Sequence, residues 1–152
     1  MRSTARILAV AFSLSALTGC FGTRGSLMTT QEIDTYGSKD FSAPPHKVFE
    51  AVKAALRTQN FDIAMENPEK GLIKTNRRLI RAAAMGHQAI DYTRAYIARI
   101  TPLPSGGARV SLEPRVFAGE DDLSGKQIWV LEGDEGERLL WTRMFRDISD
   151  AL

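Results

Sequence analysis

The first strong helical pattern lies in residues 42–58. Apolar side chains recur there every three or four positions, which is the spacing of one face of an amphipathic helix. These side chains are Val48, Phe49, Val52 and Leu56. Ser42 is a candidate N-cap, and the prolines at 44 and 45 stand where a first helical turn tolerates them. The pattern predicts a helix that ends near Thr58.

A second helical pattern fills the C-terminal residues 137–152. Its apolar positions are Leu140, Trp141, Met144, Phe145, Ile148 and Leu152. Asp134 and Glu137 have the spacing of a capping box. We expect this helix to pack over a sheet, with Trp141 and Phe145 in the core.

Alternating apolar residues between the two helices predict β-hairpins. Residues 61–67 and 72–79 flank a turn that contains Pro68 and Gly71, and residues 89–103 and 108–117 flank Pro104 to Gly107. Pro114 indicates a bulge or an edge position in the last of these strands. Residues 81–88, where periodicity fails, and the acidic stretch 118–126 are predicted loops.

The remaining strand signals are weaker. Residues 35–43, "TYGSKDFSA", favour a first edge strand, and "QIWVLE" at 127–132 favours either a short strand or the approach to the last helix. The order strand, helix, about four strands, helix predicts an α+β fold. We expect an antiparallel sheet of about four to five strands packed against two helices.

The N-terminal segment has the pattern of a signal peptide. Arg2 and Arg6 form a basic start, and the apolar run 7–17 is too short to span a bilayer. Residues 17–20, "LTGC", end in Cys20, the single cysteine of the chain. We therefore predict a signal peptide at 1–19, a flexible Gly/Ser/Thr-rich tether at 20–40 and one α+β domain at 41–152.

This N-terminal pattern resembles the lipobox of bacterial lipoproteins: Leu17, a small residue, Gly19 and then Cys20. The resemblance implies cleavage before Cys20 and acylation of its sulfur and amine, which anchors the protein in a membrane by two or three acyl chains. Phe21 stands where Asp commonly marks inner-membrane retention in that family. The resemblance thus implies an outer-membrane location on the periplasmic side. An ordinary secreted protein is the alternative.

Residues 41–76 resemble a second unit of envelope lipoproteins. A proline-containing helix start is followed by "VFEAVKAAL", an aromatic-led strand and a hairpin marked by Pro68, Gly71, Ile73 and Thr75. The stretch is similar to the helix-grip domains of BamC/NlpB-type lipoproteins, accessory subunits of the outer-membrane β-barrel assembly machinery. That resemblance implies a sheet gripping a helix and a non-enzymatic role in protein contacts.

Charge and composition limit the chemistry. The chain has 152 residues, 43% hydrophobic and 25% charged, which fits one globular domain. Without Arg2 and Arg6, the 20 Lys and Arg residues fall to 18, equal to the 18 Asp and Glu residues. A neutral mature protein gives nucleic-acid binding no compositional support. One cysteine and two histidines supply neither an intramolecular disulfide nor a zinc motif, so we expect no metal and no cofactor.

The candidate interaction patch is the local concentration of basic residues at Lys74, Arg77, Arg78 and Arg81. It would suit an acidic protein surface or anionic lipid headgroups. The alternative is an exposed strand face whose positive charges prevent edge pairing.

Other polar motifs favour surface roles. His46 and His87 have no nucleophile motif beside them, so we interpret them as surface residues. The stretch 119–127 lacks the spacing of a phosphate-binding loop, and its carboxylates at 120–122 lack that of an EF-hand.

Taken together, the patterns predict a membrane-anchored envelope lipoprotein that acts as a non-enzymatic protein-interaction module, accessory to outer-membrane protein assembly or envelope integrity. The partner is an unidentified envelope protein. The alternative is a lipid- or small-molecule-binding protein with a cavity between helix and sheet, lined by Phe49 and Leu56. An enzyme whose Asp and Glu residues converge only in the fold is a third alternative.

Overall fold

The computed structural model describes residues 25–85, 88–123, 128–131 and 136–152. Its helices are α1 (Thr30–Tyr36), α2 (Pro45–Thr58) and α3 (Glu137–Asp150). Its strands are β1 (Gly25–Met28), β2 (Ser38–Phe41), β3 (Ile63–Asn67), β4 (Leu72–Thr75), β5 (Arg78–Met85), β6 (Gln88–Pro102), β7 (Ala108–Ala118), β8 (Asp121–Asp122) and β9 (Ile128–Leu131).

The main sheet is antiparallel and is organised around the long strands β6 and β7. Its strand order is β2-β7-β6-β4-β3, with β5 also paired to β6 and β8 paired to β7. β4 and β5 follow each other along the same edge of β6, β4 opposite Ile97 to Arg99 and β5 opposite Gln88 to Arg94. β1 and β9 form a separate antiparallel pair.

The core lies between one face of this sheet and the helices α2 and α3. Alternate residues of β6 and β7 point into it, among them Tyr96, Ala98, Val110 and Leu112. The apolar face of α2 and the stripe of α3 complete the same cluster. Trp141 and Phe145 are buried, as the sequence predicts.

The α+β class and the antiparallel sheet packed against helices are confirmed. The described residues contain more elements than expected: seven strands in the main sheet instead of four to five, and three helices instead of two. The two predicted hairpins are present as β3–β4 and β6–β7. Residues 128–131 form a strand and not the approach to the last helix, the other structure that the sequence allowed for this segment.

Two predicted boundary features are wrong. Helix α2 begins at Pro45 with Pro44 at its N-cap, and no side chain caps it, so Ser42 is not the cap. The N-cap of α3 is Gly136, again without a side-chain cap, and Glu137 points into the protein interior. Asp134, the other half of the predicted capping box, lies outside the described residues.

The segment 81–88 is not the predicted loop, because β5 extends to Met85 and β6 starts at Gln88. Within 118–126, Asp121 and Asp122 form the short strand β8. The register of β6 with β7 is continuous through Pro114, so there is no bulge.

Pro114 nevertheless lies at a locally open edge. β7 pairs with β2 only up to Ser111 and with β8 only from Phe117. The amide of Leu112 and the carbonyl of Val116 both bond on the side away from β6. Pro114 lies between them, so its backbone nitrogen also points to this open edge. The missing N–H of proline therefore costs no hydrogen bond to β6.

The structure also differs from the predicted tether at 20–40, because elements begin at Gly25. Helix α1 starts with a capping box in which Thr29 and Glu32 bond reciprocally. Met28 is fully buried in the core cluster. The predicted edge strand is present as β2, which pairs with β7.

Candidate functional site

The four basic residues of the candidate patch do not share one face of the sheet. Residues directly opposite each other in an antiparallel pair lie on the same face. Lys74 is opposite Ile97, whereas Arg78 is opposite Arg94 and Arg81 is opposite Tyr92. Side chains alternate between the two faces along β6, so the odd-numbered Ile97 lies on the face opposite to that of Tyr92 and Arg94. Lys74 therefore lies on the outer face. Arg78 and Arg81 lie on the face that carries the helices.

Contacts within the protein engage two of these arginines. The guanidinium of Arg77 lies 3.7 Å from the ring centre of Phe117, and its Nη1 is 3.3 Å from a carboxylate oxygen of Glu120. The Arg78 side chain is half-buried, and its guanidinium lies 4.6 Å from the ring centre of Phe61. Lys74 and Arg81 remain exposed.

The β5–β6 hairpin extends beyond the rest of the sheet. β7 stops opposite Tyr92, while β5 and β6 remain paired through Ala82–Asp91, Ala83–Ile90, Ala84–Ala89 and Met85–Gln88. We call these four pairs the arm. At about 3.4 Å per residue it projects by roughly 14 Å. No strand of the described residues pairs with the outer edge of β5 along the arm.

The backbone alternation shows which groups face that edge. On β6, the amides of Tyr96 and Ile100 donate toward the β4 side, and the carbonyl of Asp91 accepts from Gly119 on the other side. Even-numbered residues of β6 thus bond toward β4 and β5. On β5, the residues opposite Tyr92, Ile90 and Gln88 are Arg81, Ala83 and Met85, and their backbone groups therefore bond to β6. The intervening residues, Ala82 and Ala84, direct their N–H and C=O groups outward.

A groove lies at the opposite end of the sheet, beside the start of α2. Its volume is about 660 Å³, and its lining includes Pro45, His46, Phe49, Gly71, Ile100 and Pro102. His46 is exposed, as the sequence predicts. Leu56 lies in the core instead and does not line this groove.

A buried charged cluster, which the sequence pattern did not predict, lies where the start of α3 meets β6. The Arg94 guanidinium forms an ion pair with the Glu137 carboxylate, and both side chains are fully buried. The Tyr96 hydroxyl donates to the second Glu137 oxygen at 3.0 Å. Burial raises the pKa of Tyr96 well above its usual range, and the negative charge of Glu137 raises it further. The sequence contains one sign of this cluster. Arg94 is a cation at a position from which the alternation of β6 directs the side chain inward.

Ion pairs also cover much of the outer face of the sheet. Arg109 donates two hydrogen bonds to Asp40, at 2.6 and 2.8 Å, and these bonds lower the pKa of Asp40. Arg99 binds Glu113 at 3.0 Å, and Arg115 pairs with Asp122 of the acidic stretch. These carboxylates therefore form ion pairs with neighbouring arginines of the sheet.

Two further sequence predictions, lipidation of Cys20 and the surface position of His87, fall outside the described residues. Within the described part of the chain, no group of three or more His, Cys, Asp or Glu side chains could hold a metal ion. None of the helices described there has the length and apolar character needed to cross a membrane.

Among known proteins, neither a family model nor a curated protein matches this chain.

Proposed function

We propose that this protein is a lipid-anchored component of the bacterial cell envelope, held in the outer membrane and facing the periplasm, whose domain is a non-enzymatic protein-interaction module. The lipobox that ends in Cys20 supports the anchor. The partner is an envelope protein, and assembly of outer-membrane proteins or envelope integrity is the process it would serve.

The observation that carries the interaction role is the arm. Its backbone groups at Ala82 and Ala84 have no strand partner in the described structure. An open strand edge of this kind is a template for pairing with another chain. The core, by contrast, is filled by side chains of α2, α3 and the sheet.

The anchor would keep the domain close to the membrane. Five residue steps separate Cys20 from Gly25, where β1 begins. An extended chain spans at most about 3.6 Å per residue, so this connection reaches roughly 18 Å at most. The domain is thereby restricted to partners near the bilayer surface.

The experiment is in-cell crosslinking of the affinity-tagged full-length protein in its own bacterium, with intact-mass analysis of the mature chain. We expect a mature chain that starts at an acylated Cys20, is found in the membrane fraction and is crosslinked to an envelope protein. Cys20→Ser is the matched control: it lacks the thiol that takes the diacylglycerol, so its chain should carry no acyl group on residue 20. A mature chain without lipid would contradict the anchor, and absence of any protein crosslink would contradict the interaction role.

The groove beside α2 favours a second candidate function, binding of a small apolar ligand. Phe49 and Ile100 give it an apolar wall, and about 660 Å³ suits a ligand of drug size. Native mass spectrometry of the purified protein distinguishes this function. A ligand that co-purifies with the wild type, together with an absence of protein crosslinks, would favour it over the interaction role.

A further inference from the structure

We propose that the outer edge of β5 in the arm binds an extended acidic segment of the partner, which adds a strand to the sheet. This inference rests on the proposed interaction role and names the surface and the partner chemistry. Three features of the edge carry it: its backbone geometry, its exposed side chains and its charge.

The backbone geometry is regular enough for strand addition. A bulge at Ile80 interrupts the pairing between Leu79 and Arg81, but from Arg81 to Met85 the register with β6 is continuous. Along that stretch Ala82 and Ala84 each offer one outward N–H and one outward C=O. An added antiparallel or parallel strand would satisfy these groups.

The side chains at the start of this edge suit an apolar and acidic segment. Leu79 is 55% exposed, more than any other leucine whose burial the structure describes. Arg81 is exposed as well, and no carboxylate of the described residues lies within ion-pair distance of it. Its guanidinium lies 5.9 Å from the ring centre of Tyr92. A carboxylate in the incoming strand would therefore complement this charge.

Charge also argues against a second copy of this chain as the occupant. Pairing β5 with another β5 would bring Arg78 and Arg81 of both copies into one short ribbon. Four guanidinium groups in so short a ribbon would repel one another, even where they are not directly opposite. An acidic segment from a different protein avoids this repulsion and gains attraction from Arg81, whose side chain is exposed.

The experiment places a photocrosslinking amino acid at position 82 of the full-length, anchored protein in its own bacterium. The matched control carries it at Leu139, which is 39% exposed on α3. We expect a crosslinked peptide from position 82 that maps to an acidic segment of one envelope protein, and a much weaker crosslink from position 139. A synthetic peptide of the mapped segment should then protect the amides of Ala82 and Ala84 from hydrogen exchange.

Two variants of the edge separate strand addition from a general charge effect. Ala82→Pro removes an outward N–H without removing a hydrogen bond to β6, and Arg81→Glu reverses the exposed charge. Each should weaken binding of the mapped peptide by about tenfold at low salt, and only the charge contribution should decline as salt rises. Arg57→Glu makes the same charge change on the exposed side of α2 and should have little effect.

The outcomes distinguish the inference from the proposed function. Equal crosslinking at positions 82 and 139, or unchanged binding of Ala82→Pro when its circular dichroism matches the wild type, would overturn strand addition but leave the interaction role standing. A mapped segment that is basic would overturn the acidic chemistry. No protein crosslink from any position would count against the interaction role itself.

Discussion

Arg94 is the residue whose surroundings are most unusual for its type. Its guanidinium is fully buried and bound to Glu137, which in turn accepts a hydrogen bond from Tyr96. Desolvating both charges costs several kcal/mol per ion, and the attraction between them offsets this cost only while both are present. The pair joins β6 to the start of α3, so it selects one way of docking the helix on the sheet.

Removal of one charge from this pair is expected to destabilise the fold strongly. Glu137→Gln or Arg94→Met should lower the free energy of unfolding by about 3–5 kcal/mol, because each leaves the other charge buried without its partner. The triple variant Arg94→Met, Glu137→Leu, Tyr96→Phe should be more stable than either single variant. Urea unfolding followed by tryptophan fluorescence measures these differences.

The exposed ion pair between Arg99 and Glu113 is the control for that series. Arg99 and Glu113 are about half exposed, so Arg99→Met should cost at most about 1 kcal/mol. If the triple variant lost as much stability as the two single variants together, the three side chains would not act as one cluster.

The candidate patch shows why residue positions were harder to predict than residue types. Strict alternation along a strand would place Arg78 and Arg81, three positions apart, on opposite faces. The bulge at Ile80 brings both to the face of Arg94 and Tyr92. Pairing between strands determines this bulge, and the sequence of β5 alone does not reveal it.

At the scale of elements, the β3–β4 turn is the connection with the strictest steric requirement. Gly71 has φ +57°, and a Cβ at this position would lie 2.1 Å from the carbonyl oxygen of Ile100. The same residue accepts a hydrogen bond from the Ile100 amide at 2.7 Å. The close approach of β6 thus requires glycine here.

Gly71→Ala should therefore be more destabilising than the same substitution in the β6–β7 turn. Gly106 has φ +85°, but no atom lies within 4 Å of its Cβ position, so Gly106→Ala costs only the conformational strain of about 1–2 kcal/mol. Gly71→Ala adds a backbone clash and should cost distinctly more. Thermal unfolding of the two variants makes the comparison, and equal losses would show that the contact with Ile100 relaxes without cost.

The elements that the sequence predicted well are those whose apolar period is unbroken. The main helices and the β6–β7 hairpin are of this kind, since the buried faces of α2, α3 and β7 repeat at 3.6 or 2 residues. In the β3–β4 hairpin the register shifts between Ile63 and Met65, and Met65 is exposed, so the turn residues Pro68 and Gly71 were the better signal there. Residues 81–85, by contrast, contain an alanine run without alternation. Their strand conformation depends on pairing with β6, so local propensity gave no signal for it.

At the scale of the whole molecule, the N-terminal segment is tied to the C-terminal helix. Glu32 of α1 binds Arg138 of α3 at 2.7 Å, and the Arg138 guanidinium lies 4.8 Å from the ring centre of Tyr36. β1 pairs with β9. The Gly, Ser and Thr content of this region predicted a tether, because its few apolar residues show no period that reveals what they contact.

Met28 tests whether this segment contributes to the stability of the domain. Its side chain is fully buried in the core cluster, so Met28→Ala should cost about 2–5 kcal/mol in the free energy of unfolding. Met65→Ala is the matched control, since Met65 is 41% exposed on β3 and should lose far less. Urea unfolding of both variants measures the difference. A tether that does not pack would give two equally small losses, and the domain could then range farther from the membrane than the roughly 18 Å that a start at Gly25 permits.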